Sequence, residues 1–138
     1  MHIWLLRHGI AEVPSDAPDE ERVLTDRGRK KLEARLPEYK RLIGEDPVIW
    51  SSPLIRARQT AEMLAEAYGG AEITIVDALA DGDLESLHRA LSHSDPSRSY
   101  VLVGHEPYLG QFHHVETGIS FHLRVGALIG FEFSNNIE

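Results

Sequence analysis

The chain has no cysteine, which excludes disulfides, thiolate metal sites and a cysteine nucleophile. No apolar stretch approaches the roughly 20 residues that a membrane-spanning helix needs. The apolar start at Ile3 stops at Arg7 and His8, too short for the core of a secretory signal. The expected location is therefore the cytoplasm, with no membrane partner. Positive charge is scarce: 14 Lys and Arg stand against 22 Asp and Glu, a formal net charge of −8 at pH 7. Nonspecific nucleic-acid binding needs a basic face, so no nucleic-acid partner is expected. An anionic substrate is compatible with this balance, because distant exposed charges are screened and a local arginine cluster dominates at short range. Internal repeats and low-complexity tracts are also missing. The 138 residues suffice for a core of their own, and a single domain over residues 1–138 is expected.

What is present is an alternation of short apolar runs and helical patterns. Ile3 to Leu6, Val48 to Trp50, Ile73 to Val76, Tyr100 to Val103 and Ala127 to Phe133 read as strands. Thr25 can cap a helix that includes Leu32 and Leu36, with Leu42 and Ile43 continuing its stripe. Pro37 lies inside that pattern and is expected to kink it or to start a second helix. Ser52 before Pro53 fits an N-cap with proline at the first helical position. Leu54, Ala57, Ala61, Leu64, Ala65 and Tyr68 then mark a helix face that Gly69 and Gly70 end. Leu84, Leu87, His88 and Leu91 have helical spacing, and a short helix begins after Pro107 and ends near Gly118. Val13 to Glu21 holds two prolines and reads as a loop. This order predicts an α/β three-layer sandwich, with a mostly parallel central sheet flanked by helices.

Two of the apolar runs end in a histidine beside a glycine: Arg7-His8-Gly9 and Gly104-His105-Glu106-Pro107. Ligands of open α/β sheets bind where strands end at their carboxyl edge, so both histidines are expected in one crevice. Between them lies Ser51 to Ala61, which reads as a strand end and then a helix that carries Arg56 and Arg58. Imidazoles and guanidiniums together suggest chemistry on a phosphoryl group. A neutral imidazole attacks phosphorus well, which makes His8 the candidate nucleophile. Gly9 would let a phosphate approach the backbone closely. Arg7 and Arg56 offer planar forks for phosphate oxygens, and the helix N-terminus near Arg56 favours an anion. His105 would donate to a phosphoryl oxygen and stabilise charge developing there. Taken singly, each of these strings occurs by chance in turns and loops. The functional reading comes from all three occurring in order, each just past an apolar strand.

The strings Arg7-His8-Gly9, Ser52 to Ala61 (Ser-Pro-Leu-Ile-Arg-Ala-Arg-Gln-Thr-Ala) and Val103 to Pro107 resemble the histidine phosphatase (phosphoglycerate mutase-like) superfamily. The chain is most similar to the short bacterial phosphohistidine phosphatase branch, whose Arg-x-Leu-Thr-x-x-Gly string matches Arg22 to Gly28. The resemblance implies the phosphoglycerate mutase-like fold. It also implies that His8 is the phosphorylated nucleophile, that Arg7, Arg56 and His105 form the phosphate pocket, and that Arg22 lies at the rim. Larger members supply a glutamate general acid from an insertion after the third strand. Here that region is only Asp77 to Leu84. Asp83 is one candidate acid, though it equally fits an N-cap ahead of Leu84, and Glu106 beside His105 is another. An alkoxide leaving group needs a well-placed acid, whereas the imidazole of a phosphohistidine is far less basic. An acid-poor site therefore favours phosphohistidine on a partner protein. Small phosphate esters are the alternative substrates, and a noncatalytic phosphate-binding module is the rival of a different class. No cofactor is called for. No metal is expected either: His113 and His114 do not share a helix face, and His88 reads as a core or boundary residue.

Overall fold

The structure is a computed structural model and describes residues 1–13 and 18–134. The five strands are β1 (His2–Arg7), β2 (Val48–Ser51), β3 (Ile73–Ile75), β4 (Tyr100–Gly104) and β5 (Leu128–Glu132). They form one sheet in the order β3-β2-β4-β1-β5. The first four are parallel to their neighbours, and β5 runs antiparallel along β1. Every residue of β4 is buried, as a central parallel strand requires when helices cover both faces.

Strand periodicity divides the core in two. Ile3, Leu5, Tyr100 and Leu102 face one side of the sheet, and Leu6, Val101 and Val103 face the other. On the second side α1 (Asp26–Ile43) and α2 (Ile55–Ala67) contribute Leu32, Ala57, Ala61 and Leu64. On the first, α3 (Ala78–Asp81), α4 (Leu84–Ser92) and α5 (Tyr108–Thr117) contribute Leu79, Leu87, Leu91, Leu109 and Phe112. The architecture is the expected three-layer α/β sandwich.

Thr25 caps α1 as expected, its hydroxyl accepting from the Gly28 amide at 2.9 Å. Two local expectations need correction. Pro37 does not start a second helix, because α1 is continuous through it to Ile43. The carbonyl of Glu33, left without its donor, belongs to an exposed turn where water can serve it. Beyond the proline, Tyr39 and Ile43 are buried in the core, and that packing carries the helix onward. Ser52 is likewise not the N-cap of α2, which begins at Ile55 with Leu54 in the cap position. Of the loop expected over Val13 to Glu21, residues 14–17 lie outside the described residues, and Asp19–Glu21 form a single 3₁₀ turn.

Candidate active site

Strand register builds the site. Arg7 pairs with Gly104 and Ser51 with Val103, so His8, His105 and Ser52 leave three adjacent strands side by side. The His8 amide donates to Gly104 O at 3.1 Å and the Ser52 amide to Val103 O at 3.0 Å, which extends that register past the strand ends. The His8 and His105 rings stand with centroids 5.1 Å apart, tilted by 56°. Both side chains are buried.

The hydrogen bonds place the two rings and fix the tautomer of His8. His8 Nδ1 lies 2.7 Å from Gly9 O. A carbonyl only accepts, so Nδ1 carries the proton and Nε2 keeps its lone pair. His105 Nε2 lies 2.7 Å from Ser52 Oγ, which already accepts from the Leu54 amide at 3.2 Å. Ser52 Oγ, with a second lone pair, can either donate to His105 Nε2 or accept from it; when it donates, the ring proton sits on Nδ1. That Nδ1 is buried and has no partner. The pair thus presents an unprotonated His8 Nε2 beside Arg56 and a His105 Nδ1 without a partner.

Burial holds both rings neutral. The pKa of His8 is lowered to about 4, mainly by burial and further by Arg56 and Arg7, against the Gly9 carbonyl that favours the cation. His105 is lowered to about 3, again mainly by burial, then by His8 and Arg56. A free imidazole takes up its proton near pH 6.5, so the unfolded chain binds more protons than the native one as pH falls below that value. The contribution of the two rings to stability is complete above pH 6.5 and is lost between there and pH 4 to 3. The urea midpoint is expected to fall over that range, and less steeply in His8→Ala. An equal pH slope in both proteins would contradict the neutral assignment.

The arginines surround this pair. Arg56, in the first turn of α2 and buried, points Nε at His8 Nε2 across 3.4 Å. Its Nη1 donates to Asp19 O at 2.8 Å, and its Nη2 pairs with the Asp19 carboxylate at 3.2 Å. Arg22 pairs with the same carboxylate at 2.9 Å, is partly exposed, and acts on His8 through its charge, which places it at the rim. Arg7 is anchored through Nη1 to Leu123 O at 2.7 Å, and its buried Nε has no partner.

The other expected residues are used differently. The Gly9 amide donates to Thr60 Oγ1 at 3.1 Å, and a Cβ on Gly9 would lie 2.7 Å from Leu32. Glycine at this position also lets the Leu32 side chain of α1 pack closely against the loop. Asp83 caps α4, accepting from the Ser86 amide and hydroxyl, which hold its carboxyl below the usual range. Glu106 is buried and accepts from the Gly110 amide at 2.9 Å at the start of α5, with His122 at 3.4 Å from its other oxygen. His88 pairs with Glu116 at 2.6 Å, and the buried His113 contacts Ile119 O at 2.7 Å.

Sequence reasoning missed four positioning groups. Ser52 holds His105 Nε2 at 2.7 Å. Thr60 holds Gly9, and its own hydroxyl is anchored within α2 by donating to Arg56 O at 2.8 Å. Gln59 accepts from the Leu24 amide at 2.8 Å and ties α2 to the turn before α1. Asp19 bridges the two arginines. The signal for Ser52 and Thr60 is polar side chains inside a string whose helical face is otherwise apolar.

A sequence profile of the Histidine phosphatase superfamily (branch 1) matches residues 3–131. The chain belongs to that superfamily. An uncharacterized protein of Picosynechococcus sp. is 35% identical over 138 residues, covering 94% of this chain and 84% of its own length. The protein histidine phosphatase SixA, solved with tungstate, superposes with a TM-score of 0.84 at 21% identity, covering 94% of this chain and 86% of that one. Mycobacterial glucosyl-3-phosphoglycerate phosphatase superposes with a TM-score of 0.73 at 18% identity, covering 94% and 88%. The two structures share the fold. As a histidine phosphatase superfamily member, the protein is a phosphatase-type hydrolase. Among the described residues, no helix is long and apolar enough to cross a membrane.

Proposed function

We propose that the protein hydrolyses phosphohistidine on a partner protein, through a covalent phospho-His8 intermediate. The observation that carries this reading is the pair of neutral, buried imidazoles, with His8 Nε2 unprotonated beside Arg56 and His105 Nδ1 without a partner. His8 Nε2 attacks phosphorus as the P–N bond to the substrate imidazole breaks. The leaving imidazole takes a proton from water. Water then attacks phospho-His8, releasing inorganic phosphate and regenerating the neutral ring. Arg56, Arg7 and the His105 Nδ1–H stabilise the phosphoryl oxygens in both steps. The Gly9 carbonyl keeps the His8 proton on Nδ1 throughout.

The carboxylates support phosphohistidine over an alkyl ester. Asp83 and Glu106 each accept from a helix N-terminal amide, and Asp19 is held well ionised by Arg22 and Arg56. None is poised as a proton donor to an alkoxide. A phosphohistidine leaving group does not need one.

The decisive experiment measures phosphate release from a histidine-phosphorylated carrier protein beside 4-nitrophenyl phosphate. Fast release from the carrier and slow ester cleavage are expected. The reverse preference would make the protein a small-ester phosphatase, and no release from either would leave a phosphate-binding module.

Asp19 offers a second check. Its carboxylate occupies the donors of Arg22 and Arg56 that a phosphate would use. Because Asp19 is more than half exposed, that competition is modest. Asp19→Asn is expected to tighten inhibition by inorganic phosphate ~3-fold. Weaker inhibition in the variant would show that Asp19 orients the arginines instead.

A further inference from the structure

Behind the nucleophile loop lies a second cavity of about 200 Å³, bounded by Gly9 and Ile10, the start of α1 and the turn before β5. It shares the Gly9 backbone with the site above and sits on the same carboxyl edge of the sheet. Lys31, Arg35 and Arg124 line it, and no carboxylate does. The arginines with an ion partner lie elsewhere: Arg22, Arg41, Arg56, Arg89 and Arg98 each pair with an Asp or Glu. Among the described residues, Lys31, Arg35 and Arg124 form no such pair. In a chain of net charge −8, three cations without a carboxylate around one small cavity are a local reversal of sign.

The cavity is shaped as well as charged. Gly126 has φ +74°, and a Cβ there would stand 3.0 Å from Arg35 Nη1. Arg35 also bonds the Tyr39 oxygen, while the Tyr39 hydroxyl donates to Gly126 O. The absence of a Cβ at Gly126 leaves room for the exposed Arg35 guanidinium at the wall. The volume suits a single oxyanion group rather than a whole metabolite.

We propose that Lys31, Arg35 and Arg124 form a second anion subsite, which takes a carboxylate or phosphate group carried by the substrate while its phosphoryl group is at His8. This rests on the phosphatase reading for its role, though not for its existence. The same oxyanion can come from an acidic side chain on a phosphorylated protein or from the carboxylate of a small phosphate ester.

The test compares the intact chain with Lys31→Gln/Arg124→Gln, and with Lys40→Gln as a charge control away from the cavity. Citrate is titrated first, reading the Gly28 and Gly126 amides by NMR. Saturable shifts in the unaltered chain and in Lys40→Gln, lost in the double variant, are expected, and no shift in the unaltered chain overturns the site. KM is then measured for 4-nitrophenyl phosphate, 3-phosphoglycerate and a histidine-phosphorylated carrier. The double variant is expected to raise KM about tenfold for a substrate with a second anionic group, relative to the aryl phosphate. A change with the carrier alone assigns the anion to protein side chains, and one with the glycerate alone assigns it to a small carboxylate. Citrate shifts with an unchanged KM ratio for both overturn the substrate role. Citrate shifts without turnover of any substrate would remove the phosphatase reading and keep the anion site.

Discussion

His8→Ala is expected to remove turnover, with a fall in kcat of at least about 10⁴-fold, as is typical when a covalent nucleophile is lost. The mechanism accounts for the size. Without Nε2 there is no phosphoenzyme, and the arginines and His105 can only polarise a phosphoryl group that water must attack unaided. Phosphate should still bind, because Arg56 and Arg7 are anchored independently, to Asp19 and to Leu123 O. The protein should also still fold. His8 Nδ1 bonds only the adjacent Gly9 carbonyl, and the β1–β4 register is made by backbone groups. The check is a phosphoenzyme trap: brief exposure to ³²P-labelled substrate, an alkaline quench to spare the P–N bond, and counting of protein-bound label. Label in the unaltered chain and none in His8→Ala is expected. Full activity in the variant would end the His8 mechanism, and unlabelled but binding-competent protein in both would favour the binding module.

Gly28→Ala is expected to lower the melting temperature by about 8 °C, despite placing a better helix former inside α1. Two effects oppose each other. Alanine gains about 1 kcal/mol in helix propensity over glycine. Its Cβ would lie 2.3 Å from Ile10 O and 3.1 Å from Ile10 C. Those are backbone atoms that cannot rotate away, and overpacking of this kind costs about 3 kcal/mol. The clash wins by about 2 kcal/mol. Ile10 O also accepts from the Thr25 amide at 2.9 Å, so relief by moving Ile10 would break the entrance to α1 and shift the loop that carries His8 and Gly9. A loss of kcat/KM should therefore accompany the loss of stability. Thermal melts and steady-state kinetics on the same preparation measure both. A raised melting temperature would mean that the His8 loop yields freely.

His8 and Gly28 stand on opposite sides of the boundary between what residue order reveals and what it hides. The amino-acid order by itself determined the strand-helix alternation, since buried parallel strands of Val, Leu and Ile differ in length and period from the Ala- and Leu-faced helices. It also determined the two histidines at strand ends, because parallel strands deliver the residues just past their ends to one edge of the sheet. The start of α2 was not legible. Ser52-Pro53 has the composition of a cap, but the hydroxyl of Ser52 is drawn to His105, which is 53 residues away in the chain.

Tertiary structure alone decided the partners of the two rings, their neutral state and the fate of the carboxylates. Each depends on which group faces which across a distance that no local pattern encodes. Gly9 is read from sequence as room for a phosphate, and the close approach of Leu32 on α1 to the same position appears only in the tertiary structure. Glu106 adjoins His105 in sequence, yet its carboxylate is taken up by the α5 amide of Gly110. Residue type and order set the chemistry that is available. Burial and long-range hydrogen bonds, which exist only once β1, β2 and β4 lie side by side, set which nitrogens of the two rings are engaged and which are not.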